Sequence, residues 1–162
     1  MITIRRAGEL DARDMADLLN AIIREGGTTA LTKEVTANSI KEQLRCAPDQ
    51  SAWHVAEDEV GTLLGFQSIE PHSKLPPSAC DIATFVQVGR TGLGIGSKLF
   101  EASKYAARTL GYTWINATIR TDNAGGLAYY QSQGFEDYAK HPNQTLGNGM
   151  IVDKVSKRYD LT

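Results

Sequence analysis

The sequence predicts an α+β fold: one mixed, mainly antiparallel central sheet of about seven strands flanked by about four helices. Three observations carry this. Strand-like runs at 52–57, 62–69 and 79–88 follow one another with only turns between them, the layout of an antiparallel meander. From residue 95 onward the order changes to helix, strand, helix, strand, strand. No repeat, low-complexity tract or linker divides the 162 residues, so 1–162 is expected to form a single domain.

Taken in order, Met1-Ile2-Thr3-Ile4-Arg5-Arg6 alternates apolar and polar residues as a first strand does. It lacks the basic start and apolar stretch of a secretion signal, so a cytoplasmic location is expected. Met15, Leu18, Leu19, Ile22 and Ile23 recur at helical spacing behind Asp11, a suitable N-cap, and Gly26-Gly27 end the pattern. A shorter helix over 36–47 turns Ile40 and Leu44 inward and stops at Pro48, leaving 26–33 as a small, polar, flexible link. The meander strands are separated by Asp58-Glu59 and by 71–77. Behind Gly94, the residues Ile95, Leu99, Ala102, Ser103, Ala106 and Leu110 make one helical face, closed by Gly111 as a C-cap. A strand at 114–119 and a helix at 123–133, capped by Gly134, come next. The runs 136–140 and 149–159 read as a strand, a long turn and a strand.

Composition narrows the function. With 41% hydrophobic and 22% charged residues the chain is ordinary for a globular protein, and no run approaches the ~20 apolar residues a membrane span needs. A net charge of -2 and the absence of a dense Lys/Arg run argue against nucleic acid as a partner. Cys46 and Cys80 lack metal-ligand spacing, so no metal site is expected, and both are expected to be reduced and partly buried. Any phosphate must therefore be held locally, by backbone.

The segment from Val86 to Ser97 offers such a place. A strand ends, Gly92, Gly94 and Gly96 alternate, and a helix begins. Alternating glycines let successive N–H groups face one side, and the helix start adds partial positive charge. Gly96-Ser97-Lys98 reverses the order a P-loop needs. A dinucleotide fingerprint starting at Gly92 and Gly94 meets Ser97 at its third glycine and follows a meander instead of a βαβ unit.

On these residues the chain resembles the GNAT superfamily of N-acetyltransferases. That family's loop opens on Gln or Arg, followed by two variable residues, Gly, any residue, and Gly or Ala; here Gly94-Ile95-Gly96 supplies its end and Thr91 stands at its first position, with Arg90 one place early. A second block agrees: Asn123, the pair Tyr129-Tyr130, then Gly134-Phe135, in the right order and at a fitting separation. Element order matches along nearly the whole chain, and the pattern is closest to the amino-acid-modifying branch that includes phosphinothricin acetyltransferases.

The resemblance implies acetyl-CoA as acyl donor and direct transfer to the amine of a small molecule, an amino acid or similar compound. It implies splayed parallel strands at 79–88 and 114–119 with the pantetheine arm between them, lined by Phe85, Val86 and Val88. The pyrophosphate would meet N–H groups of Gly92, Leu93, Gly94, Ile95, Gly96 and Ser97, with Arg90 and Thr91 beside them. Tyr130 is the implied general acid. Asn123 is a helix cap and a candidate contact to the arm. Asp81 stands where phosphinothricin-type enzymes place a Glu proposed as general base; pairing with a cationic amine, or a solvated charge at a strand start, are the other readings. Arg24, Thr28, Trp53 and Ser68 would border the acceptor, and a homodimer is the expected assembly. Glu70, His54, His72 and His141 receive no role. The rival functions are a noncatalytic acyl-CoA sensor, a nucleotide-binding module, and acetylation of protein N-termini or lysines.

Overall fold

A computed structural model describes residues 1–90 and 93–162. Its strands are β1 (Thr3–Arg6), β2 (Ala52–Glu57), β3 (Leu63–Glu70), β4 (Ala79–Val86), β5 (Trp114–Arg120), β6 (Glu136–Thr145) and β7 (Ile151–Asp160). The α-helices are α1 (Ala12–Glu25), α2 (Ala37–Cys46), α3 (Ile95–Thr109) and α4 (Ala124–Ser132). All seven strands join one sheet in the order β1-β2-β3-β4-β5-β7-β6. Every neighbouring pair is antiparallel except β4–β5, which run parallel through three pairs only: Ala79 with Trp114, Cys80 with Ile115, and Asp81 with Asn116. The expected mixed, mainly antiparallel sheet is therefore present.

Each sheet face has its own core because strand residues alternate sides. The first carries Met15, Leu19 and Ile22 of α1 and Ile40 of α2 on Trp53, Val55 and Phe66. The opposite face carries Phe100 of α3 and Tyr130 of α4 on Cys80, Ile82, Ile115 and Ala117. Removing one such apolar side chain from water stabilises by about 1.5–3 kcal/mol, so these two layers dominate over exposed ion pairs worth about 0–1 kcal/mol. Asn20, on the buried face of α1, is satisfied by both backbone groups of Val35, at 2.9 and 2.7 Å, which fixes the approach to α2.

Four expectations need correction. Asp11 does not cap α1 with its side chain; a 3-10 turn at Glu9–Asp11 feeds the helix, and the carboxylate accepts from the Gly8 amide at 2.8 Å and from Arg5. β4 stops at Val86, because Gln87 and Arg90 close a turn. β6 runs to Thr145, past Pro142, because it is an edge strand whose register shifts between His141 and Gln144; such a bulge tolerates proline, and Asn143 takes φ 55°. Cys46 is exposed at the end of α2, where only Ile40 of that helix is buried.

Candidate active site

The site starts from the short parallel pairing. Beyond Asp81 and Asn116, β4 stays with β3 and β5 stays with β7, so the two strands part toward their C-terminal ends. Alternation then sends β4 side chains to opposite sides: Cys80 and Ile82 join the α3/α4 core, whereas Phe85 packs on Phe66 with ring centroids 5.1 Å apart. By the same parity Thr84 faces α4 and Asp81 faces the α1 side. Val86 packs with Ile2, Ile4 and the cluster around Ile95. Phe85 and Val86 thus lie on β4 with their side chains in core clusters, while Val88 is exposed past the strand end.

Where β4 ends, the chain turns into α3. Gly89 has φ 84°, and the Arg90 amide bonds the Gln87 carbonyl at 2.9 Å. Gly94, the N-cap of α3, has φ 79°, a left-handed conformation that side chains resist. Among the described residues the first closing bond of α3 runs from the Lys98 amide to the Gly94 carbonyl at 3.2 Å, and the amides that open a helix ahead of that bond face along its axis, where the helix dipole favours an anion. The Ile95 side chain is buried, Leu93 and Arg90 are exposed, and Ser97 Oγ accepts from Gln133 Nε2 at 2.9 Å. Thr91 and Gly92 lie outside the described residues. Gly96 has a further reason to lack a side chain: a Cβ there would stand 2.6 Å from Cε1 of Tyr129.

Asn123 caps α4, its Oδ1 accepting from the Gly126 amide at 2.9 Å, while its Nδ2 donates to the Thr28 carbonyl at 2.9 Å. Arg120, buried at the end of β5, forms a two-pronged pair with Asp122 and donates to the Thr29 carbonyl at 3.0 Å. The loop after α1 is thus fastened over the open end of β5. Arg24 is not free at that loop; its guanidinium pairs with Glu34.

Tyr130 is buried, and its hydroxyl lies 2.9 Å from Thr84 Oγ1. Neighbouring Tyr129 donates to the Gly96 carbonyl at 2.8 Å and accepts from Gln67 Nε2 at 3.0 Å; the same amide nitrogen donates to Thr84 Oγ1 at 2.8 Å. Burial pushes both phenols up, Tyr129 to about 12 and Tyr130 further, while Thr84 pulls Tyr130 back down. The α4 pair is therefore wired to the glycine loop and to β3 and β4.

On the other face, Asp81 accepts from Asn116 Nδ2 at 2.9 Å, and Asn116 Oδ1 accepts from the Tyr138 hydroxyl. Burial raises the Asp81 carboxyl, with the Asn116 bond and His72 acting the other way. Glu70, directly opposite Asp81 on β3, is also raised, by burial first and by the Asp81 charge, against a bond from Gln43. Trp53 and Ser68 are opposite each other on β2 and β3, on the same face as Asp81. Trp53 is 6% exposed, and its Nε1 has no hydrogen-bond partner among the described residues. Trp53, Ser68 and Asp81 thus share a face, with Arg24 tied elsewhere and Thr28 engaged through its carbonyl.

Gln67, Thr84 and Asn116 escaped the sequence reading, while Tyr129 entered it only as half of the Tyr129-Tyr130 pair and Glu70 without a role. Gln67 left the clearest signal, a polar residue on the inward parity of the apolar run 62–69. The Glu70–Asp81 pair depends on strand register, which spacing along one chain does not contain.

A layer of this kind, with a glycine-rich helix start beside two parting parallel strands, defines an acyl-transfer fold, and the comparisons agree. Residues 49–137, more than half of the chain, match the family described as acetyltransferase (GNAT) domain, and the chain belongs to that family of acetyltransferases. YwnH of Bacillus subtilis strain 168, named as a candidate phosphinothricin acetyltransferase, is 26% identical over 162 residues, which are 99% of this chain and 95% of that protein. Among solved structures, yncA of Salmonella typhimurium, a candidate acetyltransferase solved with acetyl-CoA, superposes with a TM-score of 0.89 at 20% identity, covering 99% of this chain and 94% of that one. The phosphinothricin acetyltransferase Pat of Sinorhizobium meliloti, also solved with acetyl-CoA, gives 0.86 at 18% identity, covering 98% and 88%. These structures show the shared fold.

Proposed function

We propose that residues 1–162 form one acetyl-CoA-dependent N-acetyltransferase domain acting on the amine of a small molecule, an amino acid or similar compound, by direct transfer in a ternary complex. The observation that carries this reading is the placement of a phenol and a raised carboxyl on opposite faces of β4 where it parts from β5, beside the Gly94 start of α3. The relatives solved with acetyl-CoA support the donor.

The geometry divides the work. N–H groups of Gly94, Ile95, Gly96 and Ser97 at the start of α3 suit a pyrophosphate without a basic cluster. The gap where β4 and β5 part, near Asn123, would hold the pantetheine arm. Asp81, raised by burial, is a better base than a solvated carboxylate and takes a proton from the acceptor ammonium. The amine nitrogen attacks the thioester carbonyl, the carbon–sulfur bond breaks, sulfur receives the Tyr130 proton, and the acetylated nitrogen releases its extra proton to water to give the neutral amide. Cys80, beside Asp81, is buried with its thiol pushed up to about 12, so it offers no thiolate for a covalent intermediate, which supports direct transfer.

One observation favours a second acceptor class. The neighbouring Glu70 and Asp81 carboxyls, together with Arg24 held by Glu34, suit a diamine better than a carboxylate-bearing acceptor. Acetyl-CoA-dependent thiol release across a panel of amino acids and diamines tests both readings. Acetyl-CoA is expected to raise the melting temperature, and stabilisation by NAD or ATP alone would sink the acyltransferase reading. Tyr130→Phe is expected to lower kcat with little change in acetyl-CoA affinity, and unchanged kcat would remove Tyr130 from the chemistry.

A further inference from the structure

We infer that Gln67 and Thr84 act as positioning residues that set the direction of the hydrogen bond to Tyr130 and leave its proton free for the departing sulfur. The inference rests on the acyltransferase reading above. Its starting point is the Gly96 carbonyl, which can only accept. Tyr129 therefore spends its single hydroxyl proton there, at 2.8 Å. Its oxygen then accepts from Gln67 at 3.0 Å, so the Gln67 amide must present nitrogen, not oxygen, to this side.

The second proton on that nitrogen goes to Thr84 Oγ1 at 2.8 Å. Thr84 is now an acceptor toward Gln67, and its other hydrogen-bond partner among the described residues is Tyr130 Oη at 2.9 Å. Either oxygen can donate in that bond, but Tyr130 is the acceptor within reach of the Thr84 proton, which would otherwise go unbonded. Tyr130 then accepts, and its own proton carries no commitment within the network. The chain runs from the glycine loop to the phenol through Tyr129, Gln67 and Thr84.

This polarity suits the chemical step. As the carbon–sulfur bond breaks, the electron pair goes to sulfur, which takes the Tyr130 proton and becomes the CoA thiol. The resulting phenolate is left facing the Thr84 hydroxyl, which already donates to it, and it recovers a proton from water after product release. An ordinary phenol holds its proton more tightly than a thiol and burial widens that gap, while the Thr84 bond acts the other way, so a donor to the phenolate reduces how far uphill the transfer runs. With the bond reversed, Tyr130 would have to break it before donating.

Steady-state kinetics of the full chain, with acetyl-CoA and the best amine of the panel, test this. Thr84→Val is expected to lower kcat about ten- to a hundredfold, the usual worth of a bond to a charged group, with the acetyl-CoA KM within about twofold. Losing the donor also moves the basic limb of the kcat–pH profile upward. Thr84→Ser is expected to restore both. Gln67→Leu, which keeps volume but frees Thr84 to accept from Tyr130, is expected to lower kcat in the native background and to add nothing in the Thr84→Val background. Native kcat in Thr84→Val, or additive losses in the double variant, would overturn the inference while a defective Tyr130→Phe left the function standing. Absence of turnover in the native protein would overturn both. A retained acetyl-CoA thermal shift identifies the folded variants; if Thr84→Val lacks it, the Gln67→Leu pH profile decides, since loss of packing alone lowers rate without moving the limb.

Discussion

Gly96→Ala probes the closest approach in the site. The new Cβ would lie 2.6 Å from Cε1 and 3.1 Å from Cζ of Tyr129. Carbon atoms prefer about 3.5–4.0 Å, so the ring must retreat by about 1 Å. It is not free to do so, since its hydroxyl is bonded to the Gly96 carbonyl at 2.8 Å and to Gln67 at 3.0 Å. Overpacking of this kind costs about 1–3 kcal/mol, against the roughly 0.5–1 kcal/mol an alanine gains over glycine inside a helix. The expected result is a net loss of about 1 kcal/mol. Gly125 in α4 is the internal control, because a Cβ there meets nothing nearer than Asn123 Oδ1 at 3.9 Å; Gly125→Ala should show the helix gain alone. Urea unfolding reads both: a lower midpoint for Gly96→Ala, a higher one for Gly125→Ala, and a common slope. Equal stabilisation by the two alanines would refute the packing of Tyr129 against the helix start.

Three further expectations follow from the site and its surroundings. Burial raises Asp81, so the folded state holds that proton more tightly than the unfolded chain; the stability it contributes is full below the ordinary value of 3.8 and is lost as pH rises through the raised one. Asp81→Asn, still able to accept from Asn116, should melt higher than the native protein at pH 7.5 and alike near pH 3, while losing activity; a lower melting point at pH 7.5 would contradict the burial argument. His54 is depressed from 6.5 to about 4, by burial first and then by Arg6, so its contribution is full above 6.5 and is lost as pH falls toward 4, a change of about 2–3 kcal/mol after solvent screening. His54→Leu should flatten urea stability across that window, and an unchanged pH dependence would refute the assignment. Asn123→Ala removes a helix cap worth about 1 kcal/mol together with the bond to the Thr28 carbonyl, and should weaken acetyl-CoA binding more than an exposed-residue control, measured by calorimetry.

Local patterns were legible wherever one residue's neighbours along the chain decide its state. The faces of α1 and α3 followed from spacing, the α4 cap from Asn123, and the start of α3 from Gly94. What spacing hides is partnership across strands. Asp81 was visible as a charge on a strand, but its bond to Asn116 and its place opposite Glu70 exist only through the registers of β5 and β3. Arg24 looked available to border the acceptor because Glu34, ten residues away, is brought to it only by the path of the intervening loop. The same limit applied to β6, expected to end at 140, where the sheet edge allows a bulge that carries the strand past Pro142.

The three-rung contact between β4 and β5 also has a mechanical meaning. It divides the sheet into two leaves, β1–β4 and β5–β7, joined at one end by Ala79 to Asp81, on one face by the shared α3/α4 core, and at the other end by the Arg120 and Asn123 bonds to carbonyls of the loop after α1. Between those ties the leaves are levers, and a molecule wedged there is a strut that transmits force from one leaf to the other. Amide protons of β5 near Ala117 to Arg120 would then report the fit of the acyl donor through the rigidity of the far leaf.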